Sequence, residues 1–472
     1  MPKTSFIQNL VKDSVVYGLT RYLSVIAAIF LTPVYTRIIP RYDYGIMDIF
    51  NTWISFCVLL IPLGLLEAMP RLYAEAREDG RQFRRIIGNQ NSLLIFSVLI
   101  FLFISYVART AFESRILLSG DFGSIYSISM ALIPLQVFVS QQMNFLRLDL
   151  RRRAYTTVSV LQFAILTILG FVLVYYYRMS ILGFFWASLV ATSLAALYSL
   201  MLNRRFLLLS LDPGELKVMV RYSLPLLYVV LFFSMSDIID RYILNVYMDT
   251  RSVGLYSVAV RIASIPLFFT SAFATAWFPR IFSLTEIGEQ KEAIKISHAA
   301  ALVFFGSILT SVILFRKELI LFFAPDYMDS FNVLVLLAIS NTVNGLGPLY
   351  AFGIHLRKKS GDFVKAALLS IPVNIVLSIA LVRNFGPLGV AFGTMAGTIL
   401  WTFLRYHYGR KYIDVSFSFR PALYVIISVI AATLISHFLL PNAWLITLKV
   451  LLIIYPIILI TRYLKSLYNE LV

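Results

Sequence analysis

Among the ionisable side chains inside long apolar runs of this sequence are Arg21, Glu67, Asp237, Asp240, Arg241 and Arg261. A charge in a membrane-spanning segment costs about 2.5–3.5 kcal/mol on insertion scales, so it turns toward a bundle interior or a wet cavity. The three arginines have the chemistry to take an anionic headgroup. A guanidinium grips phosphate oxygens in bidentate fashion, and more strongly where water is excluded. On that reading Arg21 acts toward the inner side and Arg241 and Arg261 toward the outer side. Glu67, Asp237 and Asp240 would carry coupling protons or orient the arginines. A plainer reading needs no ligand. Asp237 and Arg241 stand four residues apart, as do Glu67 and Arg71, and such pairs meet along one helix face. Arg21 and Lys449 can snorkel to the interface. Both readings stay open at the level of sequence.

Other chemistry has no signature here. There is no Gly-x-x-x-x-Gly-Lys-Ser/Thr phosphate loop, no His-Glu-x-x-His, no Cys-x-x-Cys pair and no Gly-x-Ser-x-Gly elbow. His298, His355, His407 and His437 are scattered singly near the ends of apolar runs, where interfacial placement is expected. Cys57 is the single cysteine, so no internal disulfide forms. No metal and no cofactor is expected, and no enzymatic activity.

The elements that must position these charges follow from composition. The chain has 472 residues, of which 59% are hydrophobic and only 14% charged. Soluble domains carry about 25% charged residues. Mean hydropathy is +0.82. These values exclude a cytosolic enzyme, a disordered chain and a secreted disulfide scaffold. Crossing a bilayer takes about 20 apolar residues. Runs of that length place fourteen spans at 14–36, 45–69, 86–106, 122–146, 154–176, 181–202, 222–246, 253–278, 296–315, 331–353, 363–382, 387–408, 421–440 and 443–463.

Charge tests that arrangement. With the N-terminus cytoplasmic, 28 lysines and arginines fall on cytoplasmic segments and nine on the opposite face, alternating loop by loop. Arg405 counts with the cytoplasmic group and Arg316 with the external one. An even number of spans places both termini in the cytoplasm. The net charge of +17 is therefore the cytoplasmic excess of a membrane protein, and no nucleic-acid partner is expected.

The two halves resemble each other. Tyr44-Gly45-Ile46 matches Val253-Gly254-Leu255, and Pro70-Arg71-Leu72-Tyr73 matches Pro279-Arg280-Ile281-Phe282, both at an offset of 209. Arg151-Arg152-Arg153 matches Arg357-Lys358-Lys359, and Leu182-Gly183 matches Leu388-Gly389, at 206. The small residues Gly183, Ala187 and Ala191 align with Gly389, Gly393 and Gly397. Small residues four apart let helices approach closely in lipid, where no hydrophobic drive exists between them. The expected fold is all-α and integral to the membrane. Two pseudo-symmetric six-helix bundles, parallel repeats over 1–205 and 206–412, are followed by an extra helix pair at 413–472. Parallel repeats suit alternating access by rocking one bundle against the other.

Three segments carry a family likeness: Leu31-Thr32-Pro33-Val34-Tyr35-Thr36-Arg37 running into Tyr42-Asp43-Tyr44-Gly45; Asp240-Arg241-Tyr242-Ile243-Leu244 followed by Val253-Gly254-Leu255-Tyr256-Ser257; and Gly386-Pro387-Leu388-Gly389-Val390-Ala391. They resemble the polysaccharide-transporter branch of the flippase superfamily that also holds the multidrug and toxin extrusion proteins. The resemblance implies a flippase in the plasma (inner) membrane of a prokaryote. Its cargo would be an oligosaccharide on polyprenyl pyrophosphate, destined for O-antigen, capsule or exopolysaccharide. It also implies coupling to H+ or Na+, contact with membrane lipids, and contact with a polysaccharide polymerase or other assembly proteins. Arg21, Arg241 and Arg261 are the candidates for a cationic cavity. Two alternatives are a cation-coupled multidrug exporter of the same fold and a membrane glycosyltransferase or polymerase. The short loops weigh against the second.

Overall fold

A computed structural model describes residues 31–76, 80–107, 123–149, 151–284, 286–357, 359–417 and 419–438. Arg21 and the expected span at 443–463 lie outside the described residues. The described chain is helical throughout, and nine of its helical stretches are long and apolar enough to cross a membrane. The expected spans at 45–69, 222–246 and 421–440 are not among those nine, although all three regions are helical over their described residues. Large apolar side chains point outward, Phe96 at 61% and Phe103 at 70% exposure, as lipid-facing side chains do. The protein is a multi-pass membrane protein. It divides into two compact units, Met1–Asn245 and Val246–Val472.

The first unit contains α1 (Arg41–Leu60), α2 (Leu65–Ala76), α3 (Gly80–Val107), α4 (Gly123–Leu148), α5 (Arg152–Phe171), α6 (Ser180–Leu202) and most of α7 (Pro213–Tyr247). The apolar run at 45–69 is broken rather than continuous. Leu63 and Gly64 both take positive φ, 52° and 74°, and separate α1 from α2. Gly64 is required twice over. Its φ suits glycine, and a Cβ there would overlap the Ser223 carbonyl oxygen and lie 2.9 Å from the Leu227 nitrogen on α7. Below the break, Leu65 and Met69 pack with Ile86, Phe145 and Phe206. The Phe145 and Phe206 rings stack at 4.7 Å. α5 continues through a π-helical turn, Val172–Tyr176, before the chain reverses into α6. Gly183 then sits where a Cβ would lie 3.1 Å from Leu173.

The second unit contains α8 (Thr250–Ala263), α9 (Ile265–Ser283), α10 (Ile287–Leu314), α11 (Arg316–Phe323), α12 (Phe331–Tyr350), α13 (Phe352–Leu356), α14 (Ser360–Phe385), α15 (Pro387–Arg410) and α16 (Phe419–Phe438). The glycine stripe of α15 faces α14. A Cβ at Gly393 would overlap the Ser378 hydroxyl, and one at Gly397 would lie 2.8 Å from the Asn374 Cβ. The core joins Trp277 and Ile281 of α9, Leu302 and Phe305 of α10, Leu346 and Leu349 of α12, and Phe352. His298, expected at the interface, is buried at 4% exposure and bonds the Tyr350 hydroxyl through Nε2 at 2.8 Å. α10 begins nine residues ahead of the expected span at 296, and this carries His298 into the packed core.

Candidate functional site

Polar groups inside the first unit gather at two places. The first is an ion pair between helices. Arg241, on α7, donates from Nε to Oδ2 of Asp48 on α1 at 2.8 Å. Both side chains are about nine-tenths buried, at 11% and 10% exposure. The sequence offered Asp237, one turn away, as the partner. Asp48 comes from another helix, on the buried face of α1 with Tyr44, Gly45 and Ile49. Asp240 is buried beside Arg241 in sequence and makes its own contact. Asp237 is helical, and its side chain lies outside the described residues.

The second place is a cavity of about 580 Å³ among α2, α4 and α5. Glu67 lines it from the first turn of α2. From α4 come Gln136, Ser140, Asn144 and Arg147, and from α5 come Tyr155 and Gln162. The four α4 residues recur every three or four positions, so they form one polar stripe along a membrane-spanning helix. Asn144 is the organiser. Its Nδ2 donates to the Leu66 carbonyl at 2.9 Å, tying α4 to α2. Its Oδ1 accepts from Nη2 of Arg147 at 2.8 Å and so fixes the guanidinium at the cavity wall. On α5, Gln162 reaches the Thr192 hydroxyl of α6 at 3.4 Å. Amides, hydroxyls, one cation and one carboxylate converge here, which is the donor and acceptor set that a polyhydroxylated ligand requires.

Arg261, in the second unit, is half-buried in the last turn of α8. Its carbonyl accepts from the Ser264 hydroxyl at 2.6 Å, which closes that helix. The structure brings Glu67 to the cavity and Arg241 to Asp48. Arg261 lies in the other compact unit from both.

A further arginine was hidden in the loop count. Arg405 is buried inside α15 at 7% exposure. Its Nη2 donates to Asn344 Oδ1 and Thr402 Oγ1, each at 3.1 Å, and its guanidinium lies 4.7 Å over the Trp401 ring. Gly347 leaves it room, since a Cβ there would overlap the guanidinium. Burial, followed by the Arg405 charge, holds the nearby His355 imidazole below its usual range. Among the described residues no group of three or more His, Cys, Asp or Glu side chains is placed to hold a metal ion.

Comparison with known proteins fits this architecture. Residues 10–285, more than half of the chain, match the polysaccharide biosynthesis protein family, and the chain belongs to that family. A probable low-salt glycan biosynthesis flippase, Agl15 of Haloferax volcanii, is 22% identical over 192 residues, 40% of each chain. This chain therefore spans about two-fifths of the length of that relative. Among solved structures, the lipid II flippase MurJ in an inward closed conformation superposes with a TM-score of 0.73 at 15% identity, covering 98% of this chain and 99% of MurJ. An inward-facing multidrug resistance MATE family transporter of the MOP superfamily gives 0.67 at 13% identity, over 84% and 94%. At these identities the likeness is one of fold.

Proposed function

We propose that this protein is a flippase for an oligosaccharide carried on polyprenyl pyrophosphate, a repeat unit of O-antigen, capsule or exopolysaccharide. Membership of the polysaccharide biosynthesis family and the flippase named among its relatives support this reading. The observation that carries it is the amide- and hydroxyl-lined cavity of the first unit. A void walled by Gln136, Ser140, Asn144 and Gln162 beside Leu66, Val139 and Met143 suits the hydroxyls and the apolar ring faces of a sugar. Arg21 and Arg261 are the proposed contacts of the pyrophosphate. Arg241 is committed through Nε to Asp48, so its part is to hold α1 against α7. Glu67, Asp237 and Asp240 are the proposed coupling groups for H+ or Na+.

In this reading six-helix lobes over 1–205 and 206–412 alternate access, with fourteen spans in all and helices at 413–472 added outside the repeat. Both termini are cytoplasmic, in the plasma membrane of a prokaryote. The protein performs no bond chemistry and hands its cargo to a polymerase or another assembly protein. The fold alone would equally serve a cation-coupled drug exporter.

Reconstitution separates the readings. Vesicles holding the protein and a fluorescent lipid-linked oligosaccharide should expose inner-leaflet glycan to an external glycosidase faster than empty vesicles. Equal rates would end the flippase reading. Drug efflux driven by a cation gradient would favour the exporter, and sugar transfer from the lipid-linked donor would favour a glycosyltransferase.

A further inference from the structure

Arg316 presents a charge that no carboxylate among the described residues answers. It follows α10 directly and begins α11, and only 2% of it is exposed. Among the described residues no carboxylate pairs with it, and its Nε has no hydrogen-bond partner. Its one recorded contact is the Phe331 ring, 5.1 Å from the guanidinium carbon. A buried guanidinium without an anion is the costly case, since desolvation is not repaid by any opposite charge. Among the described residues Arg316 is also the sole cation lining a second cavity, of about 510 Å³.

The other walls of that cavity are largely apolar. Leu381 and Phe385 come from the last turns of α14, Phe392 from the start of α15, Asn332 from the start of α12 and Thr433 from the end of α16. On the span arrangement expected from the sequence, these positions lie toward the same, external ends of their helices, near where a membrane gives way to its headgroups. Phe385 and Phe392 are exposed, at 57% and 43%, so the cavity meets the lipid-facing surface. One deep cation at headgroup level, above an apolar trough open to the side, is complementary to an amphiphile with a phosphate head and a hydrocarbon chain. A free ion would leave the trough empty, and a zwitterionic headgroup would bring its own cation to the guanidinium.

We propose that the second unit holds an anionic phospholipid of the surrounding membrane, its phosphate on Arg316 and one chain along Leu381, Phe385 and Phe392. This site is independent of the cargo cavity among α2, α4 and α5. It does not rest on the flippase reading. Its phosphate accepts from the guanidinium donors that the protein leaves unanswered, and in doing so it ties α11 to α12, α14, α15 and α16.

The test uses the full chain in nanodiscs of phosphatidylcholine alone or mixed with phosphatidylglycerol. Native mass spectrometry reads retained lipid and a thermal melt reads stability. The wild type should retain phosphatidylglycerol at least about tenfold better than Arg316→Met, in line with a charge-assisted phosphate contact. It should also melt higher when phosphatidylglycerol is present, and Arg316→Met should lose that difference. Methionine exchanges an unpaired buried charge for an apolar chain of similar length, so the variant should fold. Lys317→Met, next in sequence and outside the cavity lining, should behave as the wild type and so excludes a general headgroup attraction. Equal retention by wild type and Arg316→Met would overturn the proposal. So would stabilisation of the wild type in phosphatidylcholine discs by inorganic phosphate alone, which would make the site one for a free ion.

Discussion

Arg241 and Asp48, 193 residues apart in the chain, meet through a single 2.8 Å contact that joins α7 to α1 inside the first unit. Both are largely desolvated, so losing one partner removes an opposite charge from a buried site, where such a loss is costly. Asp48→Leu or Arg241→Met alone should lower stability by about 3 kcal/mol. The double replacement Asp48→Leu with Arg241→Met should recover most of that loss. Denaturation of the four proteins in one detergent gives the coupling term directly. Losses that simply add would show that the two side chains do not depend on each other.

The cavity among α2, α4 and α5 gives a separate expectation. Gln136→Leu and Gln162→Leu remove sugar-facing amides without removing a bond between α2 and α4. Each should slow glycan translocation several-fold, Gln136→Leu at unchanged melting temperature and Gln162→Leu with a small loss from its 3.4 Å contact to Thr192. Asn144→Leu should behave differently. It strands the Leu66 carbonyl and frees Arg147, so it should cost about 1–3 kcal/mol in stability as well as transport. Transport and melting curves measured side by side distinguish the two classes. Full transport by the double glutamine variant would remove the cavity from the cargo path.

Arg405 is expected to resist its nearest replacement. Lysine keeps the charge but loses the planar stack on Trp401 and the ability to reach Asn344 and Thr402 together. Arg405→Lys should destabilise by about 1–2 kcal/mol. Gly347→Ala, which puts a methyl group where the guanidinium lies, should destabilise too. Combining Gly347→Ala with Arg405→Met should be milder than the two losses added. Strict additivity in a thermal melt would place the two residues out of contact.

The sequence carried the helical, membrane-spanning character of the chain because apolar runs of bilayer length leave no other backbone solution in lipid. It carried the family likeness through short motifs such as Asp240-Arg241-Tyr242. The break at Leu63 and Gly64 was not legible. Pro62 to Leu66 is apolar throughout and reads as unbroken, and only the approach of α7 shows why glycine stands there. Arg405 and Arg316 were assigned to loops because they lie near the ends of apolar runs. α15 in fact continues to Arg410, and packing folds α11 inward. The stripe of Gln136, Ser140, Asn144 and Arg147 was present at helical spacing all along. Uncharged amides attract less notice than charges, and their meaning appears only when α2 and α5 close the cavity around them.

The contrast between that stripe and the Arg405 cluster bears on how such a protein diversifies. Gln136 and Ser140 face a void, so a lineage can exchange them one at a time and alter what fits inside with little disturbance of the scaffold. Arg405, Asn344, Thr402 and Gly347 lock one another in place, and drift at any of them is penalised until the others change too. Variation among descendants should therefore collect on the walls of the first unit's cavity and stay sparse around the buried guanidinium of the second.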